Sequence, residues 1–99
     1  MIINFAIFKF KKYLSSKGLV HLKAYRDFVL KYRNCVLAEI SKSINDDGEY
    51  FFFSMWKNKE DLNKLNENLK ETGAAQRSFF ELINILEKEP EFRLFELIE

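Results

Sequence analysis

Apolar residues crowd the start of the chain: Ile2, Ile3, Phe5, Ala6, Ile7, Phe8 and Phe10, broken only by Asn4 and Lys9. This density of β-branched and aromatic residues, with no helix cap before it, predicts a strand over Ile2 to Lys11, followed by a polar loop at Ser15-Ser16-Lys17-Gly18. From Leu19 to Arg33 the period changes. Leu22, Tyr25, Val29 and Tyr32, with Phe28 alongside, recur at spacings of three and four, while Lys23, Asp27 and Lys31 fall opposite, the pattern of an amphipathic helix. Cys35 to Ser43 and Tyr50 to Trp56 read as two strands of a hairpin around Asn45-Asp46-Asp47-Gly48, a cluster suited to positive-φ turn positions. Asn58 is placed to cap a second helix, with Asp61 three residues on, and that helix runs through Leu62, Leu65 and Leu69. Gly73 breaks or bends it, and Phe79, Leu82, Ile83 and Leu86 restart the stripe until Pro90. Glu91 to Ile98 reads as the last strand.

The order is β-α-β-β-α-β in one domain spanning residues 1–99. It predicts an α+β, ferredoxin-like antiparallel sheet with both helices on one face. A sheet covered on one side alone should alternate apolar with polar residues. These strands do not. Ile3, Phe5 and Ile7 oppose Ile2, Ala6, Phe8 and Phe10; Phe51, Phe53 and Met55 oppose Tyr50, Phe52 and Trp56; and Phe92, Leu94 and Ile98 oppose Phe95 and Leu97. The face that the helices leave bare carries large side chains worth roughly 1.5–3 kcal/mol each if buried. A second copy packed sheet to sheet is the simplest cover, so a homodimer is expected.

Composition agrees with a folded domain: 47% of residues are hydrophobic, 31% are charged, and eleven are Phe. The formal charge of +1 argues against a dedicated nucleic-acid binder. Its distribution is uneven, with eight basic residues against the single acid Asp27 between Lys9 and Arg33, and an acidic excess from Glu81 onward. The acids in Asp47-Gly48-Glu49 stand where the RNA-recognition motif is basic, which speaks against RNA binding through the sheet. A single cysteine, Cys35, excludes an internal disulfide framework and a multi-cysteine metal site and suits a cytoplasmic setting. The apolar N-terminus lacks the positive region and cleavage site of a signal peptide. No apolar run reaches the roughly 18 residues of a membrane span, so a soluble protein without membrane association is expected.

The stretch Asn45-Asp46-Asp47-Gly48-Glu49-Tyr50-Phe51-Phe52-Phe53-Ser54-Met55-Trp56-Lys57-Asn58-Lys59-Glu60-Asp61-Leu62 resembles the signature region of the antibiotic biosynthesis monooxygenase family. A hairpin turn leads into an aromatic strand ending in Trp, and a charged stretch opens the second helix. Cys35 at the start of the second strand and a final strand of the Glu-Phe-Arg-Leu-Phe-Glu type extend the likeness over nearly the whole chain. The resemblance implies the dimeric α+β barrel. It also implies, for some relatives, oxidation of phenolic or quinol-type substrates by O₂ with no metal or flavin. The heme-degrading branch relies on an Asn in the first strand and a Trp and a His on the second helix. Here Ala6 takes the first position, with Asn4 two residues earlier on the same face. Leu65 stands where that branch has its Trp, and the His position falls at Ala75, or at Ala74 if the helix carries an insertion. Heme degradation is therefore not implied.

Candidate chemistry follows from residue types. His21, the one histidine, is a candidate general base; Trp56 a candidate N–H donor; and Asn4, a polar residue in an apolar strand, a candidate pocket amide. Phe8, Tyr25, Tyr32 and Phe79 are candidate walls of a substrate pocket, and Arg77 a candidate anchor for an anionic group. Core packing competes for the aromatic residues, and solvent for Arg77. No metal site and no cofactor are called for. Two functions stay open: a cofactor-independent monooxygenase acting on a small aromatic or quinol-type substrate, and a non-catalytic binding or interaction module on the same scaffold, with the pocket filled by side chains and the basic face of the first helix free to dock an acidic partner.

Overall fold

The computed structural model describes residues 1–69 and 74–98, the side chains of 74–76 excepted. The elements run β1 (Ile2–Lys9), α1 (Ser15–Val29), β2 (Cys35–Lys42), β3 (Glu49–Trp56), α2 (Lys59–Asn68), α3 (Ala74–Asn84) and β4 (Glu91–Glu96). The sheet order is β2-β3-β1-β4, antiparallel throughout. Each split βαβ unit thus has one foreign strand inserted between its own two, the ferredoxin-like arrangement read from the sequence.

Register fixes the two faces. Asn4, Ala6 and Phe8 point toward the helices together with Tyr50, Phe52, Ser54 and Trp56 of the neighbouring strand, and all of these are buried. Ile3, Phe5, Ile7, Phe51, Phe53 and Met55 point the other way and stay half-exposed. Leu22, Tyr25 and Val29 of α1, Leu62 and Leu65 of α2, and Leu82 of α3 close the core over the inner face. At 19 Å in its shortest dimension, the protomer is one sheet and one helical layer thick.

Several boundaries and the turn differ from the sequence reading: β1 ends at Lys9 rather than Lys11, α1 at Val29 rather than Arg33, and β4 at Glu96 rather than Ile98. The first helix starts at Ser15, not Leu19, because Ser15 to Gly18 already form its first turn. Gly18 presses its backbone onto the Phe10 ring, and Tyr13, in the left-handed region at φ 70°, turns the chain into it. The helical stripe predicted to run on to Pro90 ends at Asn84. Beyond it the backbone is captured by β1: Lys11 N–H donates to the Ile85 carbonyl, Glu87 N–H to that of Lys9, and Phe10 bridges Leu86. The hairpin loop uses no positive φ among its residues. The Ser43 hydroxyl accepts from the N–H groups of Asn45 and Asp46, and the Asp46 carboxylate accepts from Gly48 N–H, so side chains do the turning. Gly73 lies outside the described residues. Asn58 does cap α2, accepting from Asp61 N–H at 3.2 Å.

Candidate functional site

The helices cover β1 and β3 but stop short of β4. Phe92 and Leu94, which share the inner face with Asn4 and Ala6, remain 47% and 50% exposed. Between them and the helical layer lies a solvent-open cleft of about 810 Å³, lined by Asn4, Tyr25, Asn66, Leu69, Phe79, Phe80, Phe92 and Leu94. The size suits a small organic ligand, and the lining is mainly apolar. Among the described residues none of its walls is charged.

Three polar side chains break the apolar surface: Asn66 on the exposed side of α2, and the buried Asn4 and Tyr25. Asn4 sits mid-sheet on β1, between Ser54 and Leu94 in register, and is 9% exposed. The neighbouring Ser54 hydroxyl is occupied, accepting from Trp56 Nε1 at 2.8 Å. Tyr25 is 5% exposed, its ring 5.3 Å from those of both Phe52 and Phe79. Burial pushes the Tyr25 phenol well above its ordinary range, with Tyr32 adding to the effect, so the hydroxyl holds its proton at neutral pH.

Of the residues singled out from sequence, the fold brings Asn4, Tyr25 and Phe79 together at this cleft and leaves the others elsewhere. Trp56 is fully buried with its N–H given to Ser54, so it has no free donor to offer. His21 faces α3 instead of the cleft, with Nδ1 3.4 Å from the Ser78 hydroxyl and Nε2 3.1 Å from the Glu81 carboxylate. It clamps α1 to α3 and is not positioned as a base for a ligand in the cleft. Phe8 is fully buried and stands behind the wall, edge-on to Phe92 at 6.0 Å. Tyr32 packs against Trp56 and accepts a hydrogen bond from the Asn68 amide, away from the cleft lining. Arg77 is exposed on α3 and not among the lining residues.

Asn66, Leu69, Phe80, Phe92 and Leu94 are lining residues that the sequence reading did not assign to a pocket. Phe92 and Leu94 were open to inference, since they alternate in step with Asn4 once β4 is paired with β1. Nothing in the pattern marks Asn66.

The other concave regions are less suited to a ligand. One of about 510 Å³ at the hairpin loop mixes Lys9, Lys12, Asp46, Asp47 and Glu87, with Lys9 already bonded to Asp46. Cys35 is half-buried, donating to the Leu37 carbonyl at 3.3 Å, and burial raises its thiol pKa, which keeps it a weak nucleophile. No group of three or more His, Cys, Asp or Glu among the described residues is placed to hold a metal ion, and no helix among them is long and apolar enough to cross a membrane. The cleft can enclose a flat apolar molecule and offer its oxygens the Asn4 and Asn66 amides and a neutral phenol. Among the described residues its lining presents no base, so the reactivity is left to the ligand.

No protein-family model and no curated protein sequence matches the chain. Solved structures do. An antibiotic biosynthesis monooxygenase superposes with a TM-score of 0.85 at 13% identity, covering 100% of both chains. A Nitrosomonas europaea protein assigned to the same class gives 0.84 at 9% identity, again over 100% of both. SnoaB, a cofactor-independent oxygenase from Streptomyces nogalater, gives 0.83 at 10% identity over 99% of this chain and 93% of that one. At such identities the likeness is one of fold, and it is the ferredoxin-like α+β protomer fold expected from the sequence.

Proposed function

We propose that this chain oxidises a small aromatic substrate of the quinol type with O₂, without metal or flavin, in the cleft between β4 and the helices. The observation that carries the reading is an open, aromatic-walled cavity with two buried polar groups on a fold shared with a cofactor-independent oxygenase. A hydroquinone supplies the electrons itself: one oxygen atom of O₂ becomes a ring hydroxyl, the other leaves as water, and the ring ends as a hydroxyquinone. The protein's part is to hold the ring out of water and to stabilise negative charge growing on its oxygen through hydrogen bonds.

Oxygen uptake with a panel of hydroquinones, in the presence of a chelator, tests the reading. Turnover is expected, with a reduction in Leu94→Trp, which narrows the cleft, and retention in His21→Ala. Absence of turnover across the panel would overturn the catalytic reading. The second reading, a non-catalytic binding module, is favoured by the lack of a charged or basic group in the described lining. It predicts binding of the same compounds without oxygen uptake.

The working unit in this proposal is a homodimer. The bare sheet face presents Phe5 against Phe51 and Phe95 at 5.1 and 5.4 Å, and Phe51 against Phe53 at 5.7 Å, an aromatic surface that a second copy would cover. A reducing cytoplasm suits its lone half-buried cysteine.

A further inference from the structure

We infer that the cleft selects an uncharged ligand oxygen, with Tyr25 as the donor and Asn4 as the second contact, so that these two residues set specificity. The inference rests on the cleft being the ligand site and goes beyond that reading by naming the ionisation state of the group received. Both residues are more than nine-tenths buried, and both line the cavity. Among the described residues nothing bonds the Asn4 amide or the Tyr25 hydroxyl, while no fully occluded side-chain polar atom is left without a partner. The polar atoms of the two groups therefore keep some contact with open space, and the cleft is the cavity that both residues line. Buried polar groups are nearly always paired, and two left open among the described residues of an apolar wall are complementary to a ligand oxygen.

The surroundings decide which atom that is. A carboxylate or phenolate at this depth would lose water and meet no cation among the described lining residues. The same desolvation keeps the proton on Tyr25. A neutral carbonyl or phenol loses less and gains a donor from Tyr25; a carbonyl can also accept from the Asn4 amide N–H, and a phenol can donate to the amide oxygen. Charge on the ligand oxygen is then tolerated only as it develops during reaction, not on arrival.

Three probes sharing one ring system separate these effects by titration calorimetry at neutral pH: naphthalene, 2-naphthol and 2-naphthoate. Binding of 2-naphthol about tenfold tighter than naphthalene is expected, the yield of one retained hydrogen bond, with 2-naphthoate weaker than both. Tyr25→Phe, which keeps the ring packing, should remove most of the naphthol advantage and leave naphthalene binding unchanged; Asn4→Ala should act in the same sense. Equal affinity for naphthoate and naphthol would overturn the inference, as would a Tyr25→Phe variant that weakens all three probes alike. No binding of any probe to the wild-type chain would instead overturn the cleft as a ligand site, and the inference with it.

Discussion

Gly18→Ala is the substitution for which the structure makes the sharpest demand. A β-carbon at this position would lie 2.4, 2.5 and 2.6 Å from Cε1, Cδ1 and Cζ of Phe10, where ordinary carbon contacts begin about 1 Å further out. The ring cannot swing clear. Phe10 is fully buried, its N–H donates to the Gly48 carbonyl, its backbone bridges Leu86, and its ring packs 5.5 Å from that of Tyr50. Helix propensity alone favours Ala over Gly by about 1 kcal/mol in a helix interior. Overpacking a filled core costs about 1–3 kcal/mol, and overlap with three atoms of one pinned ring belongs at the upper end. The net expectation is destabilisation by about 2 kcal/mol, or a Tm lowered by about 10 °C for a domain of this size. Urea unfolding at fixed protein concentration measures it, as a reduced midpoint with unchanged slope. Adding Phe10→Leu should recover part of the loss, so the double variant would be more stable than the sum of the two changes requires. A Gly18→Ala protein as stable as the parent, or more so, would refute the argument that α1 seats on Phe10.

Three further outcomes follow from other contacts. Ser54→Ala removes the acceptor of the Trp56 indole N–H in a fully buried setting and should cost about 1–3 kcal/mol, read as a fall in the urea midpoint. Phe5→Lys on the bare sheet face should turn a species of twice the 11.9 kDa chain mass into a monomer by analytical ultracentrifugation. Losing about 1.5 kcal/mol of burial on each side of a two-fold weakens association about a hundredfold. The Lys9 side chain, followed by Gly48 N–H, holds the Asp46 carboxyl below its usual range. Its contribution to stability is thus present above the unfolded carboxylate pKa and fades as pH falls through the lower folded value. Asp46→Asn should flatten the acid limb of Tm against pH. An unchanged limb would mean that the pair with Lys9 does not contribute in solution.

Much of the fold was legible because alternation has only two solutions. Once Ile3, Phe5 and Ile7 are set against Asn4, Ala6 and Phe8, pairing with β3 fixes which set meets the helices. Helix boundaries were less legible because the deciding contacts are distant in sequence. Gly18 reads locally as a breaker, yet its missing side chain is what lets α1 begin at Ser15, four residues before Leu19, against Phe10. Leu86 keeps helical spacing with Leu82, yet hydrogen bonds to β1 take the chain out of the helix before it is reached. At the cleft, the placement of Asn4, Tyr25 and Phe79 is legible because a polar group in an apolar strand and an inward aromatic stripe both bear on place. His21 and Trp56 were chosen for chemical versatility, which carries no positional information. Ser54 stands two residues before Trp56 and so on its side of β3, a hint that the indole N–H already had a local partner.

Strand β4 is an edge strand joined to the sheet through β1 alone, and all six of its residues are exposed. Its inner Phe92 and Leu94 border the cleft, and its outer Phe95 continues the aromatic surface around Phe5. In a lone protomer it should be the first strand to fray, detected as the fastest amide exchange in the sheet. Anything seated against one side of such a ribbon lowers the population of its detached state, and so strengthens, by the same factor, whatever docks on the other. The hollow and the outer surface are thereby linked through a six-residue ribbon with no relay of contacts between them.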